Sequence, residues 1–146
     1  MKPILIAVVL FMSTFTKSFA ADNNIVEPTV LKSFQTTFAG ASDVDWSMTE
    51  GLYKAVFLLN GQYISAYYNA DGTMQAISRH INASSLPMLL QTGLKTDYKN
   101  LWVSDVMEVT NEGGLQYYVT LEDAGSKTIL KATATTWSTF QKTRKD

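Results

Sequence analysis

Hydrophobic and polar residues alternate most clearly from Tyr53 to Tyr68, where two β-prone runs flank Asn60 and Gly61. Asn-Gly readily takes φ > 0 at both central positions of a type I′ turn, so a two-residue hairpin loop is predicted. That loop fixes the register. Leu59 faces Gln62, Phe57 faces Ile64, Ala55 faces Ala66 and Tyr53 faces Tyr68. Opposed residues share a side of a sheet. One side therefore carries Tyr53, Ala55, Phe57, Leu59, Ile64, Ala66 and Tyr68, and reads as core. The other carries Lys54, Val56, Leu58, Tyr63, Ser65 and Tyr67, and is amphipathic.

The same patterning extends outward. Pro28 to Ala39 predicts a helix, with Pro28 in its first turn and Val30, Leu31, Phe34 and Phe38 forming an apolar stripe. From Asp43 to Glu50, Val44, Trp46 and Met48 alternate with polar residues. A two-residue loop at Glu50 and Gly51 would place Met48 opposite Tyr53, Trp46 opposite Ala55 and Val44 opposite Phe57, all on the core side. On this assignment Trp46→Ala is costly and Tyr67→Ala nearly neutral. Asn69 to Gly72 reads as a turn into a strand from Thr73 to about Arg79. There Ile77 shares the core side, and Met74, Ala76 and Ser78 share the amphipathic one.

The second half follows a similar order. Ser84 and Ser85 offer an N-cap and Leu86-Pro87 opens a helix carrying Met88, Leu89 and Leu90, then Leu94 and Tyr98, which Gly93 is expected to bend or stop. Strands are predicted at Leu101–Thr110, Leu115–Glu122, Lys127–Ala134 and Thr136–Lys142. A three-residue loop near Gly113 would set Met107 and Val109 beside Tyr117 and Val119. It packs better than the two-residue alternative, which sets Val106 and Glu108 there, so a bulge is expected. Tyr118, Thr120 and Glu122 pair with Lys131, Ile129 and Lys127 on the amphipathic side. Tyr53, Asn60 and Gly61 align with Tyr117, Ala124 and Gly125 at an offset of 64. The expected fold is α+β: two tandem repeats, each a helix packed on a four-stranded antiparallel β-meander, at 21–82 and 83–146 within one compact unit.

Composition narrows the function classes. The 146 residues are 46% hydrophobic and 17% charged, as in a globular protein. Met1 to Ala20 has the form of a signal peptide: Lys2, an apolar stretch from Ile4 to Met12, and the small residues Ser18 and Ala20 at −3 and −1 of the cleavage point. Cleavage near Ala20 would leave ten basic against thirteen acidic residues, a net charge of −3. That balance argues against non-specific nucleic-acid binding. The run Lys142 to Lys145 reads as a solvated end. The absence of cysteine excludes disulfides, thiolate metal sites, cysteine nucleophiles and a lipoprotein anchor.

These features resemble the PepSY-like family of secreted bacterial proteins, which has a β-lactamase-inhibitor-protein-like fold. The resemblance is carried by Phe38…Val44-Asp45-Trp46, the Asn60-Gly61 hairpin, the Asp71-Gly72 turn, Leu86-Pro87, Tyr98, and Tyr117 to Glu122. It implies tandem helix-on-sheet repeats, a periplasmic or extracellular location and no catalytic residues. The related inhibitors bind an enzyme through a concave sheet face. The stretch Thr133 to Trp137 departs from the pattern, because the repeat would have an Asp-Gly turn there.

No chemical constellation rises above its ordinary reading. His80 is the only histidine and reads as a polar strand end. Asp43 and Asp45 would share a strand side, where a hard cation could bind weakly, but a solvated edge is the simpler reading. Asp105, Glu108, Glu112 and Glu122 show no convergence of the kind general acid–base chemistry requires. What remains is the amphipathic face of Lys54, Val56, Leu58, Tyr63, Tyr67, Tyr118, Ile129 and Lys131. Tyrosines among aliphatics and cations suit an interface, since tyrosine buries much area and keeps a polar handle. A merely solvated face and self-packing are the alternatives. The expected function is non-enzymatic binding of a periplasmic protein or peptide, without cofactor or metal, by a monomer or weak dimer. An inhibitor-like role is its sharper form. The rival is a small-molecule carrier, its pocket between helix and sheet lined by Trp46, Phe57 and Tyr68.

Overall fold

The computed structural model describes residues 26–146. The leader expected over 1–20 lies outside the described residues. The described chain is mostly β. Eight strands form one antiparallel sheet in sequential order, β1 to β8, accompanied by two α-helices and a short 3₁₀ turn. This corrects the expected pair of helix-plus-four-strand repeats. Sequence alternation predicts each strand, but it does not say whether the fourth ends a sheet. Hydrogen bonding of β4 to β5 leaves neither as a bare edge with unpaired N–H and C=O groups. The chain nonetheless divides into two compact units, one ending at Ile77 and one running from Ser78 to Asp146, and the division falls inside β4.

In the first unit, α1 (Pro28–Thr37) places Pro28 in its first turn and buries Val30 and Phe34. It ends two residues short of Ala39, because Phe38 leaves the helical conformation while its N–H still bonds the Phe34 carbonyl at 2.8 Å. Strands β1 (Ser42–Thr49), β2 (Leu52–Leu59) and β3 (Gln62–Tyr68) follow, and β4 spans Met74–His80. Both hairpin loops have the expected two residues, with positive φ at Glu50 and Gly51 and again at Asn60 and Gly61. The β2–β3 register pairs Tyr53 with Tyr68, Ala55 with Ala66, Phe57 with Ile64 and Leu59 with Gln62, as expected.

One expectation fails at β1. Met48 pairs with Tyr53 and Trp46 with Ala55, but the register shifts between Ser42 and Asp45, where Asp43 has φ 50°. The bulge removes Val44 from the place opposite Phe57 and leaves it exposed. It also takes Asp43 and Asp45 out of simple strand alternation. Met48 is paired as expected yet is 52% exposed.

The second unit opens with a 3₁₀ turn (Ala83–Ser85) and α2 (Met88–Asp97). The N-cap position is held by Pro87, and neither Ser84 nor Ser85 caps the helix by its side chain. Gln91 instead reaches back, its side-chain amide donating to the Leu86 and Ser84 carbonyls at 2.8 and 3.1 Å. Gly93 does not stop α2, which runs on to Asp97. A Cβ at Gly93 would lie 3.3 Å from Trp137 Cδ1, so its bare backbone leaves space for the indole. The Trp137 Nε1–H donates to the Leu90 carbonyl at 2.9 Å.

Strands β5 (Trp102–Asn111), β6 (Gly114–Glu122), β7 (Ser126–Thr133) and β8 (Thr136–Arg144) complete this unit. The expected bulge near Gly113 is absent. Asn111 pairs with Gly114, so the loop has two residues, and Val106 and Glu108 face Val119 and Tyr117. The Asn111 side chain stabilises this tight loop by accepting the Gly113 N–H at 2.8 Å. The irregularity sits at the other end of β5, between Val103 and Asp105. The C-terminal run is exposed, as a solvated end is, yet it is tied to the fold. β8 extends to Arg144, and Lys145 binds the Asp123 carbonyl and the Glu122 carboxylate at 2.8 and 2.7 Å.

Candidate functional site

Strand alternation separates the residues packed on each helix from those on the opposite side. In the first unit, Val26, Val30, Phe34, Trp46, Ala55, Phe57, Ala66 and Tyr68 form the buried helix-side cluster. The rings interlock. Phe34 meets Trp46 and Phe57 edge-on at 5.2 and 5.0 Å between centroids, and Trp46 lies 6.2 Å from Tyr68. Ala55 and Ala66, in the same cross-strand row as Trp46, leave room for the indole. The three residues expected to line a carrier pocket are thus packed against other rings. Tyr68 is the exception within this core. Its buried hydroxyl has no hydrogen-bond partner among the described residues, and desolvation pushes its pKa up to about 12.

On the opposite side, three cross-strand rows follow one another along the hairpin: Lys54 with Tyr67, Val56 with Ser65, and Leu58 with Tyr63. Tyr63 is 59% exposed, Lys54, Val56, Leu58 and Ser65 are half-buried, and Tyr67 is buried. The Lys54 ammonium sits over the Tyr67 ring, 5.7 Å from its centroid. Burial of this lysine lowers its pKa from the ordinary value. Burial of Tyr67 overturns the expectation that Tyr67→Ala is nearly neutral.

The second unit repeats the motif of lysine over tyrosine. Tyr118 pairs with Lys131, whose ammonium lies 5.8 Å from the ring centroid, and Phe140 meets Tyr118 edge-on at 5.5 Å. Here the tyrosine is fully buried, Ile129 is buried and Lys131 is half-buried. The Tyr118 hydroxyl donates to the Gln116 side chain at 3.1 Å, and desolvation pushes its pKa up to about 12. Met107, Val109 and Thr120 are buried as well. The eight candidate residues therefore divide by unit. Lys54, Val56, Leu58, Tyr63 and Tyr67 share one hairpin face, while Tyr118, Ile129 and Lys131 share another, more deeply buried. Both lysine–tyrosine pairings were legible in the register; the degree of burial was not.

Ionic groups that looked scattered in sequence are paired in space. Arg79 Nε lies 2.7 Å from Glu108, and His80 Nδ1 lies 2.7 Å from Asp105. Arg79 and His80 are exposed, Glu108 and Asp105 are half-buried, and the two pairs join the end of β4 to β5. Asp123 accepts the Gly125 and Ser126 N–H groups and the Ser126 hydroxyl, which holds its carboxyl below the usual range. Glu122 is lowered by Lys145 and then by Ser104. Among the described residues, no cluster of three His, Asp or Glu side chains could hold a metal ion, and no helix is long and apolar enough to cross a membrane.

The fold is that of BLIP-like proteins. A BLIP-like protein from Bacteroides fragilis matches with a TM-score of 0.67 at 18% identity, over 82% of this chain and 86% of its own. A DUF2874 family protein from Bacteroides uniformis matches with a TM-score of 0.73 at 18% identity, over 82% and 89%. A protein from Bacteroides eggerthii, named as a candidate periplasmic protein, matches at 0.72 and 13% identity, over 82% and 88%. None of these names is that of an enzyme. At such identities the likeness concerns the fold. No family model matches the chain, and no curated protein matches it.

Proposed function

We propose that the chain is a periplasmic or secreted, non-enzymatic binding module that holds a protein or peptide on the sheet face of its first unit. The observation that carries this reading is the row order Lys54–Tyr67, Val56–Ser65, Leu58–Tyr63: a cation, then aliphatics, then a tyrosine exposed at 59%. An exposed tyrosine beside half-buried aliphatics offers apolar area with a polar handle, a composition enriched at interfaces. The BLIP-like fold supports a binding role by analogy, and the match to a candidate periplasmic protein supports the compartment. The PepSY-like motifs, the signal peptide at 1–20 with cleavage near Ala20, and a monomeric or weakly dimeric state belong to the same reading. Of the second unit's candidates Lys131, Tyr118 and Ile129, only half-buried Lys131 remains accessible to it.

The test is capture from the periplasmic extract of the source organism, with the mature chain beside Tyr63→Asp. The variant places a charge on an exposed side chain and leaves buried Tyr67 untouched, so folding is retained by circular dichroism. A partner captured by the parent chain and lost from the variant is the expected result. Equal capture by both removes this face from the function.

A second reading, small-molecule binding on the helix side, is favoured only by the unpartnered Tyr68 hydroxyl. A ligand that donates to or accepts from this phenol would bind the parent chain and not Tyr68→Phe.

A further inference from the structure

Lys54 is placed unlike an ordinary surface lysine. It projects from the middle of β2, half-buried, with its ammonium over the Tyr67 ring opposite. Among the described residues no carboxylate forms an ion pair with it. Asp45, which faces Val56 in the β1–β2 ladder, is the acidic residue nearest in register. The tyrosine ring offers the cation its quadrupole but no counter-charge. Desolvation without a counter-charge disfavours the ammonium, in keeping with its lowered pKa. An incoming carboxylate would supply the missing charge at a point where water is already partly excluded, and there a charge-assisted hydrogen bond is strong.

The rows beyond Lys54 define what accompanies that charge. Val56 and Leu58 follow on the same side at intervals of two residues, about 7 Å each. An extended segment has the same two-residue repeat, so side chains at i, i+2 and i+4 of a partner match the three rows. Resting on the sheet-face reading above, we propose that the partner is an acidic extended segment, with a carboxylate seated on Lys54 and its next two same-side residues, both apolar, over Val56 and Leu58.

The test uses a blocked heptapeptide that alternates serine with glutamate, valine and leucine, and two controls in which glutamine or lysine replaces glutamate. Binding is followed by NMR shifts at Leu58 and Tyr63, with the Lys54 side chain titrated in the free and bound states. The glutamate peptide is expected to bind at least tenfold more tightly than the glutamine peptide, and the lysine peptide more weakly still. The advantage disappears in Lys54→Gln, survives in Lys54→Arg and shrinks with added salt. Binding of the glutamate peptide raises the Lys54 pKa. Equal binding of the glutamate and glutamine peptides, or an advantage retained in Lys54→Gln, overturns the acidic partner while leaving the face intact. If none of the peptides shifts the hairpin at millimolar concentration, the sheet-face reading itself fails.

Discussion

The two units fill the same kind of helix-on-sheet space with different chemistry. The first is aromatic: Phe34, Phe38, Trp46, Phe57 and Tyr68 meet ring on ring. The second is aliphatic: Leu86, Leu90, Leu94, Val106, Val119, Leu121 and Leu130, with Trp137 at its margin. Their opposite faces differ too. The first presents Tyr63 and half-buried Lys54, Val56 and Leu58, whereas the second buries Met107, Val109, Tyr118 and Ile129. A core built from a few large rings depends heavily on each one, and a core of many aliphatics spreads its stabilisation. The unit with the more concentrated core also carries the more accessible face.

The sharpest test of that contrast is deletion of one tryptophan from each unit. Trp46, 4% exposed, touches Phe34 and Tyr68, so Trp46→Ala is expected to cost about 3–5 kcal/mol in denaturant unfolding. Trp137 is half-buried, and Trp137→Ala is expected to cost about 1–2 kcal/mol, including one hydrogen bond to the Leu90 carbonyl. Equal losses would dissolve the comparison. Tyr67→Ala belongs with the larger losses, because the ring is 2% exposed.

Two glycines make a second pair. Gly72 has φ +86°, and a Cβ there would lie 2.8 Å from the Thr29 carbonyl oxygen, where α1 meets the β3–β4 turn. Thr29 also donates to the Ala70 carbonyl at 2.9 Å, which fixes that approach. Gly72→Ala is therefore expected to cost at least about 2 kcal/mol. At Gly93 the added methyl meets only the edge of the Trp137 indole, and gained helix propensity offsets the crowding. Gly93→Ala is expected to change stability by less than about 1 kcal/mol. Thermal melts of both variants check the pair.

Acid sensitivity is expected to fall more heavily on the second unit. Glu122 and Asp123 are both held below their ordinary values there, against Asp71 alone among the described residues of the first. A carboxylate with a lowered folded pKa contributes stability above its unfolded pKa and loses it as pH falls through the folded value. Amide exchange in β6 and β7 should therefore rise on acidification below about pH 4, before that in β2 and β3. Asp123→Asn should flatten the response. The smallest effect has the opposite sign: Tyr68→Phe removes a buried hydroxyl without a partner, and a gain of up to about 1 kcal/mol is expected.

Much of the fold was legible because local rules sufficed. Asn60-Gly61 and Glu50-Gly51 specify two-residue loops, and the register of β2 with β3 follows from them. Where a non-local contact decides, the sequence reading failed. The bulge at Asp43 displaces Val44, a signal that alternation cannot carry. The two-residue loop at Glu112-Gly113 looked poorly packed only because Met107 and Val109 were assigned to the helix side, while both are buried on the other. Joining of β4 to β5 into one sheet is likewise invisible to a pattern read strand by strand. Which candidate residues share a sheet face was legible from parity. Burial of Tyr67, Tyr118 and Ile129 was not, since it depends on what surrounds the sheet.

The central claim is that the first unit's sheet face, and not another exposed apolar surface, meets the partner. Met88 and Leu89 on the first turn of α2, 74% and 60% exposed, form the natural rival. The most direct measurement places a photo-crosslinking amino acid at position 63 in one variant and at position 88 in another, irradiated in the cells that make the protein. A discrete adduct from position 63, absent from position 88 and lost when Lys54→Gln is added, is the predicted result. An adduct from position 88 with none from position 63 would contradict the account.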